Sequence, residues 1–161
     1  MANTTFTGPV RSENGFKTIV KSASTGANTN EMTFSQYTAT VTVANGATTG
    51  KESSIGIPSN FIPMGVTIAV TTAATNSVTL TDIGTDADTD GFVDGISPAI
   101  NSTGFKGFFP CNGVLGMSGG TTTAATATAD EVEVVVSGDP GATGVTMVLK
   151  FIGISSSSDA S

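Results

Sequence analysis

The chain has 161 residues, room for one domain around one hydrophobic core. Only 12% of it is charged, its formal net charge is −7, and no run of Lys or Arg is interleaved with aromatics, so phosphate backbones are repelled and nucleic acid is not expected as a partner. With no His, one Cys, one Tyr and no Trp, it lacks the groups of most acid–base and nucleophilic mechanisms and the aromatics that line carbohydrate-cleaving carboxylate pairs; the expectation is a protein that is not an enzyme.

Thr, Ser, Gly and Ala take the place of the missing charges, and β-branched residues dominate the periodic stretches, which points to an all-β fold. Residues 1–15, MANTTFTGPVRSENG, are polar and aperiodic, with Pro9 and Gly15. They read as an extended N-terminal arm in which Phe6 and Val10, with Phe16 just beyond, need another surface to pack on. Arg11, Lys17 and Lys21 make this end mildly basic, which suits either an acidic protein surface or a strand edge kept soluble. The same end has no apolar core of the kind a signal peptide needs, and no stretch approaches the ~20 apolar residues of a membrane span, so the chain is expected to be made in a cytoplasm with no membrane partner.

Phe16 to Lys21 reads as a first strand, and EMTFSQYTATVTVANG as a half-buried second one, with Ala39, Val41 and Val43 on one face and Thr38, Thr40 and Thr42 on the other. KESSIGIPSNFIPMG, with Pro58 and Pro63, reads as a crossing between sheets. Val66, Ile68 and Val70, then Val78 and Leu80 after the AATNS turn, predict a hairpin. The Gly-rich STGFKGFFPCNGVLGMSGG allows only short strands, near Phe105 to Phe109 and Val114 to Met117. Val132, Val134 and Val136 alternate with Glu131 and Glu133, which are placed on the solvent side. The last strand carries Val145, Met147, Leu149 and Phe151 on one face, yet Val148, Ile152 and Ile154 on the other are apolar too. Without helices to cover that second face, a second sheet or a neighbouring subunit is needed, and these residues are the predicted subunit interface. Short strands at such turn spacings predict an antiparallel β-sandwich, jelly-roll-like, over residues 16–155, with a flexible tail at 156–161.

Cys111 has no partner for a disulfide and no His to activate it, and reads as a buried thiol. Asp86, Asp88, Asp90, Gly91 and Asp94 follow the D-x-D-x-D-G spacing of calcium loops, in which alternate carboxylates converge on one cation and the Gly allows a sharp turn. The carbonyl of Phe92 is a further candidate ligand. Ser97 stands where a bidentate Glu should close the site, so an exposed acidic turn is the competing reading. Beyond that calcium, no cofactor is expected.

The opening MANTTFTGPVRSENGFK, the central GTDADTDGFVDG and the closing DEVEVVVSGDPGATGVTMVLKFIGIS resemble the capsid decoration, or cement, proteins of tailed bacteriophages, marine and cyanophage-like ones in particular. The resemblance implies a β-sandwich or jelly roll that binds the major capsid protein on the outer surface of the virion, as a homotrimer, and strengthens the shell. It also implies that Phe6, Pro9, Arg11 and Phe16 of the arm make the capsid contacts, and that the acidic segment is a recurrent turn. Two other readings stand beside it: a calcium-dependent adhesion module, and another virion component of tail or neck.

Overall fold

The computed structural model describes residues 17–21, 24–25, 28–52, 57, 61–116 and 131–157. The regular elements among them are all strands: β1 (Lys17–Lys21), β2 (Asn28–Val43), β3 (Thr49–Lys51), β4 (Phe61–Thr72), β5 (Leu80–Thr85), β6 (Gly104–Pro110), β7 (Val132–Val136) and β8 (Val145–Ser157). Threonine and β-branched residues at period two drive this, because each strand then offers one apolar face for burial. In β2, Ala39, Val41 and Val43 are buried while Thr38, Thr40 and Thr42 are exposed, as the alternation predicts.

Two antiparallel sheets result, one in the order β1-β2-β8-β4-β6 and the other β3-β7-β5. Their inner faces share one core, in which Val41, Ile68, Leu149 and Phe151 of the larger sheet meet Leu80, Ile83, Val132 and Val134 of the smaller. This is the expected all-β, antiparallel sandwich. Phe92, from the loop after β5, enters the core edge-on to Phe151 with ring centroids 5.5 Å apart. The pairs nest along the chain: β2 with β8, β3 with β7, β4 with β6, and β5 with the segment after it through bridges Ile83↔Val93 and Thr79↔Ala99. The sheets are joined at one corner, where Val41 bridges Glu52, the Glu52 N–H donates to the Val132 carbonyl at 2.8 Å, and the Tyr37 hydroxyl lies 2.8 Å from both carboxylate oxygens of Glu52. Burial, and then the Glu52 carboxylate, push the Tyr37 hydroxyl well above its usual range.

Several expectations change. β4 and β5 do not form a hairpin; they lie in different sheets, and the intervening chain crosses the sandwich, its Ala74 N–H donating to Ile100 O and its Thr75 N–H to Pro140 O. Alternation reports which face is buried, not which strand is alongside. Pro63 lies inside β4 rather than in a crossing, at an irregularity where the pairing with β8 shifts between Pro63 and Gly65, a place that tolerates a missing N–H. Residues 113–116 form turns, not the expected strand from Val114. Glu133 is 6% exposed instead of solvated, because it sits on the middle strand of its sheet, between Lys51 and Gly84, with the Lys51 ammonium 3.9 Å away. β8 continues through Ser157, with Ser156 and Ser157 paired to Met32 and Glu31, where a tail was expected from residue 156.

Candidate functional site

The outward rows of the larger sheet follow from its register. Thr40, Val148, Ala69 and Phe105 form one row; Thr38, Lys150, Thr67 and Phe108 the next; then Gln36, Ile152, Gly65 and Pro110; then Phe34, Ile154 and Ile62. The middle of β2 and the Thr42–Thr146 hydroxyl pair make part of this face polar, but one side of it is not. Phe34 (59% exposed), Phe105 (69%), Phe108 (54%), Ile152 (44%) and Met64 are large apolar side chains in solvent. Val148 and Ile154, predicted with Ile152 as an interface, are half-buried on the same face. The structure therefore brings that trio onto one surface and adds aromatic residues to it. Phe108 lies across Gly65, where any Cβ would run into its ring, so the absent side chain is what lets the aromatic settle flat against the sheet.

Phe34, Met64, Phe105, Phe108 and Lys150 were not singled out from the sequence. Phe34 had a usable signal, since it shares the parity of the exposed Thr38, Thr40 and Thr42. Phe105 and Phe108 had none, because a bulge between Ile68 and Ala69 shifts the pairing and breaks the parity of β6.

The acidic segment forms a loop after β5. Its frame is backbone: Thr85 N–H and Gly91 N–H both donate to the Asp88 carbonyl, at 2.8 and 3.1 Å, and Phe92 N–H donates to Ile83 O at 3.0 Å. Asp88, Asp90 and Asp94 line an open recess of about 310 Å³ with Asn112, Gly113 and Val114. Asn112 holds the Asp94 backbone from both sides, accepting from its N–H and donating to its carbonyl, each at 2.9 Å. A hydrogen bond with Asp90, then burial, raise the Asp88 carboxyl above its usual range.

The proposed calcium quartet is not assembled. Asp86 turns away to Lys51, with Nζ 2.8 Å from its carboxylate, and the Phe92 carbonyl is taken by the N–H groups of Asn112 and Gly113 at 3.1 Å. Among the described residues no group of three or more His, Cys, Asp or Glu side chains stands close enough together to hold a metal ion. The physical reason is that the turn is closed by its own backbone and by Phe92 sinking into the core, while Lys51 draws Asp86 away, so that Asp88 and Asp90 meet each other without the rest of the quartet. Cys111 is fully buried, and burial pushes its thiol up to about 12, so it stays protonated at neutral pH. Phe6, Pro9, Arg11 and Phe16 lie outside the described residues.

Fold and surface together define an antiparallel β-sandwich with an exposed, aromatic-bearing sheet face. Neither protein-family models nor curated proteins nor solved structures match the chain. No helix among the described residues is long and apolar enough to cross a membrane.

Proposed function

We propose that this chain is a virion structural protein that decorates and strengthens the outer surface of a phage capsid by binding major capsid protein. One observation carries the reading: large apolar side chains, Phe34, Phe105, Phe108 and Ile152, stand in solvent on one sheet face of an otherwise fully cored sandwich. Such a face marks a surface for another protein, because covering the part of each of these side chains that is still exposed is worth about 0.7–2 kcal/mol. The nested strand pairs support reading the sandwich as a jelly roll, a long antiparallel hairpin rolled so that β8 also meets β4 and β7 also meets β5. The resemblance at both ends and the centre of the chain supplies the phage setting, the homotrimer and the contact role of Phe6, Pro9, Arg11 and Phe16. Many copies, each bound weakly, would add up to a stiffer shell by mass action. No enzymatic role is assigned, since the buried, protonated Cys111 and the Tyr37–Glu52 pair are held in the frame of the fold.

Co-sedimentation with expanded heads assembled from the genome that encodes the chain, and lacking it, tests the reading. Saturable binding to heads is expected. Its absence at micromolar chain, or binding to tails alone, would overturn the decoration role. The calcium-dependent adhesion module is the second reading, favoured only by the shared recess of Asp88, Asp90 and Asp94. Isothermal titration with millimolar calcium checks it, and no heat is expected.

A further inference from the structure

Charge is divided between the two sides of the sandwich. The strands of the larger sheet contain Lys17, Lys21, Lys106 and Lys150 but only Glu31 among acids. The smaller sheet and its flanking loops contain Glu52, Asp82, Asp86, Asp88, Asp90, Asp94, Glu131 and Glu133 against Lys51 alone. No carboxylate occurs among the described outward-facing side chains of the larger sheet. In the middle of that face stands Lys150, exposed, flanked along β8 by Val148 and Ile152 and across it by Thr38 and Thr67, and in no ion pair with any described residue. A chain with net charge −7 thus presents its apolar face with a cation at the centre.

We infer that this face docks on an apolar protein surface bearing carboxylates, and that the acidic smaller sheet points away from it. Charge complementarity decides between occupants. A second copy stacked face to face would set Lys150 against Lys150 while bringing together two chains of like net charge, which disfavours self-pairing here. A carboxylate-bearing apolar surface removes the same aromatics from water and neutralises Lys150. The inference rests on the decoration reading and deepens it: the surface containing Val148, Ile152 and Ile154 faces the shell, not a sister subunit.

The test is lysine acetylation footprinting on heads with the full chain bound, with binding also measured for Lys150→Glu and Ile152→Asp. Circular dichroism first establishes that both variants fold. Protection of Lys150 with Lys51 still reactive is expected, together with at least about tenfold weaker binding of each variant and weakening of the unmodified chain as salt rises. Equal reactivity of Lys150 free and bound, or undiminished binding of Lys150→Glu, would overturn the docking face while leaving the decoration role intact. Failure of the unmodified chain to bind heads would sink both. Loss of an oligomer in Ile152→Asp, seen by light scattering with head binding unchanged, would assign the face to a second copy and overturn the inference.

Discussion

Leu149 and Ile152 lie three residues apart on β8 and face opposite ways, so truncating each separates the core face from the docking face. Leu149 is fully buried, in the core with Ile68 and Phe151. Leu149→Ala loses the transfer free energy of its side chain and leaves a cavity, which costs about 2–5 kcal/mol. Ile152 is 44% exposed, so only about half of its side chain's transfer free energy is at stake. At ~0.8 kcal/mol per methylene, Ile152→Ala should cost about 1.3 kcal/mol or less, with no cavity term because solvent already reaches the site. Urea unfolding followed by far-UV circular dichroism measures both, and equal slopes against urea would mean that the same surface unfolds. If Ile152→Ala costs as much as Leu149→Ala, Ile152 belongs to the folded core and the free-face argument fails.

The corner of the sandwich gives a second expectation: Tyr37→Phe removes a hydrogen bond to the buried Glu52 carboxylate and should cost about 1.5–3 kcal/mol, read from the same urea curves. A third concerns alkaline pH. The Cys111 thiol is raised from 9.0 to about 12 in the folded chain, so above pH 9 the unfolded chain releases a proton that the folded one keeps. Stability should therefore fall by up to about 1.4 kcal/mol per pH unit between pH 9 and 12, and the difference between the parent and Cys111→Ala should show that slope. Asp88 gives a fourth, also of the raised kind. Its carboxyl resists ionisation beside Asp90, so the ionised Asp88 weakens the fold at neutral pH, and the penalty is relieved as pH falls through the native value. Asp88→Asn should raise the melting temperature at pH 7 and leave it unchanged near pH 3.

The inward faces were legible because they depend on local alternation alone. Val41 and Val43, Met147 and Leu149, and Val132, Val134 and Val136 are buried where period two puts them. The two-faced character of β8 was legible as well, since no polar residue breaks the run of Val148, Ile152 and Ile154 except Lys150. Pairing was not legible. The Val66–Leu80 stretch divides between sheets because Val78 and Leu80 are drawn under the smaller sheet by contacts with Ile100 and Pro98 that are distant in sequence. Glu133 reads as solvated from its neighbours and is buried by Lys51, more than eighty positions away. The acidic loop illustrates the same point in chemistry: its spacing resembles a calcium loop, but Lys51 takes the Asp86 carboxylate and Asn112 ties down the Asp94 backbone. Spacing along a chain permits convergence; packing from elsewhere grants or denies it.

The proposed docking falls to one sheet face and involves neither the recess nor Cys111. The proposed orientation puts Phe105, Phe108 and Ile152 toward the shell and the exposed Glu131 and Asp86 toward solvent. An electron cryomicroscopy difference map between heads with and without the chain tests both at once. Added density is expected on the outer shell, into which the sandwich fits with its larger sheet against the capsid. Absence of added density on the head, or a fit with the smaller sheet against the shell, would contradict it.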